Sequence, residues 1–176
     1  MQPILFQGLV LREFHDGDAE AFAQAARESV NTVGRWMPWC NASFSPQDAL
    51  SWFQQCRMDL ASERAYEFGV FSQESGALLG GAGLNSINHQ NLFCNLGYWV
   101  RESAQRKGVA LRTVQALVHH AFHTLGMQRV EIVIASGNTP SEAVARKYGA
   151  QLECIARNRL QLRGIPVPAL VFAVIP

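Results

Sequence analysis

The sequence predicts a mixed α+β fold in which a mostly antiparallel sheet of about seven strands is flanked by helices. Three observations support this prediction. Segments with the two-residue alternation of strands and the spacing of amphipathic helices follow one another along the whole chain. Hairpin-like strands come first, a strand–helix–strand unit follows, and two strands close the chain. The chain has 176 residues, of which 48% are hydrophobic and 16% charged, so we expect one globular domain, residues 1–176.

The first half of the chain is predicted to contain two helices and four strands. The first helix follows the turn residues Asp16–Asp18 and carries its apolar stripe from Ala19 to Ala26. A serine cap, a proline and a carboxylate in Ser45–Asp48 predict the start of the second helix, which continues to Leu60. Alternating apolar residues predict strands over residues 8–14, 66–71, 77–84 and 91–100.

The second half is predicted to contain a parallel crossover. Apolar residues from Val114 to Leu125 follow the helical i, i+3, i+4, i+7 spacing, and Gly126 ends that helix. The strand Arg129–Ala135 comes next, so we expect a right-handed parallel connection to the strand before the helix. A capping box in Thr139–Glu142 predicts the start of a last helix. Two closing strands are predicted over residues 152–162 and 167–175.

Charge and hydropathy exclude several classes of protein. The formal net charge is +1, so no overall field favours nucleic acid or an anionic membrane as a partner. The apolar runs are far shorter than the roughly 20 residues of a membrane span. No secretory signal is visible at the N-terminus, so the cysteines are expected to be free thiols in a reducing compartment. We therefore expect a soluble, cytoplasmic protein.

Two possible metal-binding features do not support a metal site. The cysteines are far apart in sequence and form no CxxC pattern. His119 and His123 are four residues apart on the long helix, with His120 between them. At about 100° per residue, all three are predicted to lie opposite the apolar face and to be solvent-exposed. No metal is expected.

The stretch around the start of the long helix carries the strongest functional signal. A strand ends in Gly97-Tyr98-Trp99-Val100, and Gln105-Arg106-Lys107-Gly108-Val109-Ala110 follows. Backbone amides at a helix N-terminus are unpaired and attract anions. Gly108 removes a side chain at the point where a phosphate would approach. These features predict a pyrophosphate-binding cradle, and the alternative is an ordinary helix start with a loop glycine and surface cations.

Several motifs together resemble a known family. The pattern (Gln/Arg)-x-x-Gly-x-(Gly/Ala), after a strand that ends Gly-Tyr-Trp-Val, resembles the acetyl-CoA site of the GNAT acetyltransferases. Asn138–Ser141 and Arg146–Ala150 look like the Asn-x-x-Ser and Lys-x-Gly-Phe elements of that superfamily. Gly8–Arg12 and Trp36–Trp39 resemble the branch of ribosomal-protein alanine N-acetyltransferases, which acetylate protein N-terminal amines. The resemblance covers essentially the whole chain.

The resemblance implies a splayed pair of parallel strands at the cofactor site and direct transfer of acetyl from acetyl-CoA to a bound amine. It places Tyr98, Trp99 and Val100 beside the thioester. It places the cradle residues beside the pyrophosphate, namely Gln105, Arg106, Lys107, Gly108, Val109 and Ala110. Asn138 matches a cofactor contact, and Ser141 matches a cofactor-contacting hydroxyl to which this branch assigns protonation of the thiolate. The alternative roles of these two residues are a turn and a helix cap.

The chain departs from the family pattern at positions that concern proton transfer. Many members have a tyrosine acid where this chain has Ala145, and relatives often have glutamate where it has Asn95. Glu102 is a nearby carboxylate, but we interpret it as a solvated turn residue. The polar-aromatic pattern of the family's last strand is replaced by Pro166–Ala169, which leaves the acceptor identity open.

The acceptor side carries two tryptophans. Trp36 and Trp39 flank a proline in an early loop, and they are predicted either to shape an amine pocket or to cap the core. The first hypothesis for the acceptor is a protein or peptide N-terminal amine. The alternatives are a small-molecule amine, or a non-catalytic acyl-CoA-binding protein that transfers nothing. A homodimer is expected from the resemblance alone.

Overall fold

The computed structural model describes residues 1–176 and contains one eight-stranded sheet and four helices. The strands are β1 Ile4–Phe6, β2 Leu9–Arg12, β3 Tyr66–Ser72, β4 Leu78–Asn88, β5 Phe93–Val100, β6 Arg129–Ala135, β7 Gln151–Leu162 and β8 Ile165–Val174. The helices are α1 Ala19–Glu28, α2 Pro46–Ala61, α3 Val109–His123 and α4 Thr139–Tyr148.

The strand order confirms the predicted mixed, mostly antiparallel fold. Along the sheet the order is β1-β2-β3-β4-β5-β6-β8-β7, and only β5 and β6 are parallel. The sheet has eight strands rather than about seven, because a hairpin pairs β1 with β2. The turn of this hairpin uses Gln7 and Gly8, both with positive φ. A three-residue strand is too short to show alternation, which is why the sequence did not predict β1.

The parallel strands β5 and β6 separate soon after they meet. Their pairing covers only Phe93–Asn95 against Arg129–Glu131. Beyond these residues β5 continues to pair with β4, and β6 continues to pair with β8. The second half of β5 therefore lies beside a gap in the sheet, as the resemblance implied.

Helices cover both faces of the sheet. The face under α1 and α2 holds an aromatic cluster that includes Phe22 and Phe53. The face under α3 and α4 holds the main core, to which these helices contribute Leu117 and Ala145. Successive residues of a strand point to opposite faces. Tyr98 accordingly packs against the main core, whereas the next residue of β5, Trp99, packs against the aromatic cluster under α1.

The predicted capping box of α2 is confirmed, whereas the one predicted for α4 is wrong, because only the Asn138 side chain caps that helix. Ser45 Oγ accepts from the Asp48 amide at 3.2 Å, and Asp48 Oδ2 accepts from the Ser45 amide at 2.8 Å. Helix α4 starts one residue earlier than predicted, because Asn138 rather than Thr139 is its N-cap. Asn138 Oδ1 accepts from the Ser141 amide at 3.4 Å.

The prediction of three solvent-exposed histidines is wrong for His120. His119 and His123 are exposed and stack on each other, but His120 is half-buried with its ring centroid 5.9 Å from that of Phe68. Burial lowers the pKa of His120. The apolar arc of α3 is wider than one stripe because the helix spans several strands, so the sequence pattern alone underestimated the buried face.

The four cysteines are unpaired, and the helices are short. All four cysteines are free thiols. The longest helix, α2, has 16 residues, and none of the four combines the length and apolar character needed to cross a bilayer. No group of three or more histidine, cysteine or acidic side chains is placed to hold a metal ion.

Candidate active site

The start of α3 forms an open cradle next to the end of β5. After Val100 the chain makes a short 3-10 turn, and Gly108 then caps α3 with φ +74°. The amides of the first helical turn, beginning at Val109 and Ala110, have no acceptor within the helix. A Cβ atom at Gly108 would meet no atom within 4 Å, so the space in front of these amides is open. The geometry suits a phosphate group.

The cations of the cradle are not neutralised by carboxylates. Lys107 Nζ donates to the Ser103 carbonyl at 2.9 Å. Arg112 donates to the carbonyls of Gln7 and Gly108, at 2.6 and 3.4 Å. Arg106 is exposed, and none of the three cations takes part in a salt bridge. Their charge therefore adds to the field that attracts an anion.

Gln105 fixes the loop rather than facing the open space. Its Nε2 donates to the Val100 carbonyl at 2.9 Å and to Thr32 Oγ1 at 3.2 Å. The Gln105 side chain thus ties the loop to the end of β5 and to the segment after α1. The side-chain amide therefore satisfies polar groups of the protein, and the cofactor contact that the sequence predicted at Gln105 stays a prediction.

Sequence reasoning missed Glu28, which clamps the same loop. Its carboxylate forms a salt bridge with Arg101 and accepts from Ser103, at 3.2 Å from the amide and 2.8 Å from the hydroxyl. The hydrogen bonds from Arg101 lower the pKa of Glu28 to about 2. A glutamate at the C-terminal end of a helix opposes the helix dipole. That unfavourable placement was the signal that could have identified it.

Tyr98 and Ser141 form a hydroxyl pair that joins β5 to α4 at the gap. Tyr98 Oη lies 2.8 Å from Ser141 Oγ and donates to the Ser141 carbonyl at 3.2 Å. Burial raises the pKa of Tyr98, so the phenol stays protonated. Asn138, as the N-cap of α4, holds the Ser141 backbone in place. Three residues that the sequence singled out separately are therefore brought together.

The two loop tryptophans have different surroundings. Trp39 packs in the aromatic cluster, with its ring centroid 5.3 Å from that of Trp99. The ring of Trp36 instead reaches the loop between β6 and α4, 3.8 Å from the Cβ position of Gly137. Trp39 therefore caps the core, and Trp36 lies at the edge of the gap on the face opposite the cradle.

A separate cavity of about 460 Å³ adjoins the cradle at Arg112. Residues of β2, the β3–β4 hairpin and β4 line it together with Arg112, and no residue of β6 or α4 contributes. The cavity does not include the gap or the hydroxyl pair, so we do not assign the reaction to it.

The sequence matches the acetyltransferase (GNAT) domain family over residues 8–151. This chain belongs to the GNAT acetyltransferases. Like other members of the family, this GNAT acetyltransferase is an N-acetyltransferase that takes the acetyl group from acetyl-CoA. The cradle fits that cofactor, because it offers unpaired amides, uncompensated cations and open space at Gly108.

Three relatives show which branch the GNAT acetyltransferase resembles. A Vibrio cholerae protein provisionally described as a ribosomal-protein-serine acetyltransferase is 33% identical, with a TM-score of 0.87, over 99% of this chain and 98% of that one. The ribosomal protein uS5-alanine N-acetyltransferase of Escherichia coli is 24% identical over 89% of this chain and 81% of its own length. RimL, a ribosomal L7/L12 alpha-N-protein acetyltransferase solved with coenzyme A, shares the fold at 23% identity, with a TM-score of 0.89 over 99% of this chain and 98% of that one.

Proposed function

We propose that this enzyme acetylates the N-terminal α-amine of a protein or peptide by direct attack in a ternary complex. The observation that carries the proposal is the gap between β5 and β6. The cradle helix α3 and the hydroxyl pair belong to one face of the sheet, and Trp36 borders the gap from the other. Two substrates entering from opposite faces would meet at the gap.

The charges around the acceptor side fit a peptide better than a polyamine. The Arg35 guanidinium lies 5.8 Å from the ring centre of Trp36, and Arg163 donates to the Gly34 carbonyl at 2.7 Å. These cations would repel a small polycation, whereas they tolerate a neutral or acidic peptide. The relatives named as ribosomal-protein acetyltransferases support the same class of acceptor. A ribosomal-protein acceptor would also agree with the cytoplasmic location expected from the sequence.

The reaction follows from the placement of the hydroxyl pair. The neutral amine attacks the thioester carbonyl carbon, so that an N–C bond forms and the C–S bond breaks. Ser141 gives its proton to the leaving thiolate and regains one from solvent, either directly or through Tyr98, which takes up a solvent proton in turn. The proton that the new ammonium loses passes to water, which balances the proton taken up by the thiolate. An α-amine has a pKa of about 8, so an appreciable fraction is neutral at pH 7.

Thiol release from acetyl-CoA tests the proposal. A hexapeptide with a free N-terminal alanine or serine should release coenzyme A thiol and gain one acetyl group by mass, whereas its N-acetylated copy should not. Ser141→Ala should lower kcat roughly a hundredfold with an unchanged Kd for acetyl-CoA, because only the general acid is lost. Ser136→Ala, an exposed serine of the nearby loop, is the matched control and should behave as wild type.

Other acceptors define the outcomes that would contradict the proposal. Thiol release with spermidine but with neither peptide would indicate a small-molecule acetyltransferase. Tight binding of acetyl-CoA without thiol release from any amine would indicate a non-catalytic acyl-CoA-binding protein.

A further inference from the structure

The cavity of about 460 Å³ beside the cradle is lined by two opposite charges. Its walls come from the turns of the β1–β2 and β3–β4 hairpins, the strands next to those turns and one side chain of α3. The charged residues are Arg112 on α3 and Glu74 in the β3–β4 turn. Neither takes part in a salt bridge, so they do not neutralise each other. The cavity therefore offers one positive and one negative group to a small molecule.

Three backbone carbonyls hold the Arg112 guanidinium in one orientation. Nη1 donates to the Gln7 carbonyl at 2.6 Å, Nη2 to the Lys107 carbonyl at 3.3 Å and Nε to the Gly108 carbonyl at 3.4 Å. A guanidinium carries two N–H groups on each terminal nitrogen, so one on each remains without an acceptor in the protein. A carboxylate accepts two such N–H groups at once, and a guanidinium that is already fixed loses little freedom on binding it. Arg112 is thus prepared to bind a carboxylate.

The turn that carries Glu74 is tied to the rest of the cavity wall. The Gln73 amide donates to the Gly8 carbonyl at 2.9 Å, and the Ser72 amide donates to the Ala77 carbonyl at 2.9 Å. Ser72 Oγ accepts from the backbone amide of the turn at 3.3 Å, which leaves its own O–H group free to donate. The Glu74 carboxylate is exposed on this turn and suits an ammonium group.

The rest of the lining is partly apolar. Leu9 and Leu79 contribute to it, and both also pack against the main core. An aliphatic group that covers them leaves water, which is favourable by about 25 cal/mol per Å² of apolar area. The volume of about 460 Å³ lies within the range of small-molecule sites, roughly 300–1,000 Å³. The cavity can therefore hold a small ligand that has both charges and an apolar part.

We propose that this cavity binds a zwitterionic amino acid with an aliphatic side chain, its carboxylate on Arg112 and its ammonium on Glu74. An inorganic anion would leave the Glu74 carboxylate without a partner and close to a like charge, and a simple amine would do the same to Arg112. The site is separate from the acetyl transfer, because its lining includes neither the gap nor the hydroxyl pair. The proposal therefore goes beyond the proposed function.

Arg112 couples this site to the cradle. The same guanidinium that faces the cavity holds the carbonyls of Lys107 and Gly108 at the start of α3. A carboxylate on Arg112 cancels part of the positive field that attracts the pyrophosphate, so the cofactor binds more weakly while the amino acid is present. Linkage requires that the cofactor weaken amino-acid binding by the same factor. The bound amino acid therefore inhibits by lowering the affinity for the cofactor.

Calorimetry with L-leucine tests the site in cofactor-free protein. Wild type should bind L-leucine with a Kd on the order of 1 mM, because exposed charge pairs and a small apolar contact contribute little each. Leucinamide, which lacks the carboxylate, and isocaproate, which lacks the ammonium, should each bind about fivefold more weakly. Glu74→Gln should weaken L-leucine binding to a similar extent. Glu20→Gln, an exposed carboxylate on α1, is the matched control and should bind as wild type.

Two further measurements locate the ligand and test the coupling. In 15N-labelled protein, L-leucine should shift the backbone amide signals of Gln73 and Glu74. Saturating L-leucine should raise the Kd for coenzyme A several-fold in wild type, and coenzyme A is used because it cannot transfer an acetyl group to the leucine. Without L-leucine, Glu74→Gln should bind coenzyme A with the wild-type Kd.

Each contrary result has a definite meaning. Absence of L-leucine binding, or equal binding of L-leucine and isocaproate, would overturn the zwitterion site. Binding that Glu74→Gln leaves unchanged would place the amino acid elsewhere and would also overturn it. A changed affinity of Glu74→Gln for coenzyme A without L-leucine would show that the cavity belongs to the cofactor instead. None of these measurements requires turnover, so a failure of the proposed function would leave them intact.

Discussion

At the scale of single residues, Gly108 combines two requirements. Its φ of +74° lies in the left-handed region that residues with a Cβ disfavour by about 1–2 kcal/mol, and the space beside it is empty. A side chain at this position would both strain the start of α3 and enter the space in front of the free amides. The two effects can be separated, because Gly126 has the same backbone conformation and open space but lies at the other end of α3.

We predict that Gly108→Trp weakens acetyl-CoA binding at least tenfold, because the indole occupies the phosphate position. Gly126→Trp is the matched control. Gly126 also has positive φ and open space around its Cβ position, but it follows the other end of α3. Isothermal calorimetry should show wild-type affinity for Gly126→Trp, with comparable losses of thermal stability in the two variants. Equal affinity of wild type and Gly108→Trp would mean that the cradle does not bind the pyrophosphate.

At the scale of elements, the cradle depends on how α1 holds the loop after β5. Glu28 binds Arg101 and Ser103, and the Ser29 hydroxyl accepts from the Glu102 amide at 3.0 Å. Thr32 accepts from Gln105 and donates to Glu102, both at 3.2 Å. A helix on one face of the sheet thus positions the anion site at the start of the helix on the other face.

We predict that Glu28→Gln lowers the free energy of unfolding at pH 7 by about 1–2 kcal/mol, after allowance for solvent screening of this partly exposed pair. It should also weaken acetyl-CoA binding several-fold. The folded pKa of about 2 lies below the ordinary 4.5, so the stabilisation is present above pH 4.5 and is lost as the pH falls towards 2. Urea unfolding of both proteins across that range should show their difference shrinking.

The exposed pair of Glu20 and Arg27 supplies the control for this measurement. Glu20→Gln should change stability by less than about 0.5 kcal/mol at any pH in the range. A pH-independent difference between wild type and Glu28→Gln would show that packing, and not the ionised carboxylate, stabilises the loop.

At the scale of the whole molecule, the last hairpin meets the loop after α1 on the acceptor side of the gap. Arg163, at the tip of the β7–β8 hairpin, donates to the carbonyl of Gly34, which is 129 residues away in sequence. This contact joins the last hairpin to the loop that carries Trp36, so it borders the region where the proposed acceptor enters. The expectation of a homodimer stays a prediction.

We predict that Arg163→Ala raises KM for the alanine hexapeptide several-fold and leaves the Kd for acetyl-CoA unchanged. The loop with Trp36 loses one anchor on the acceptor side, whereas the cradle lies on the other face and keeps its contacts. Arg159→Ala is the control, since Arg159 is exposed on the same hairpin and forms no hydrogen bond or salt bridge through its side chain. Steady-state kinetics with both substrates check this, and a changed affinity for acetyl-CoA alone would contradict it.

The sequence by itself determined the features that depend on neighbours along the chain. Periodicity identified the helices and most strands, and the cradle around Gly108 was recognisable because β5, its loop and α3 are consecutive. The pairing of Tyr98 with Ser141 and the clamp by Glu28 were decided only by the tertiary structure. Each joins elements that are distant in sequence, and the contacts depend on strand register. A slip of one residue would turn every side chain of a strand to the other face, and no local pattern records that choice.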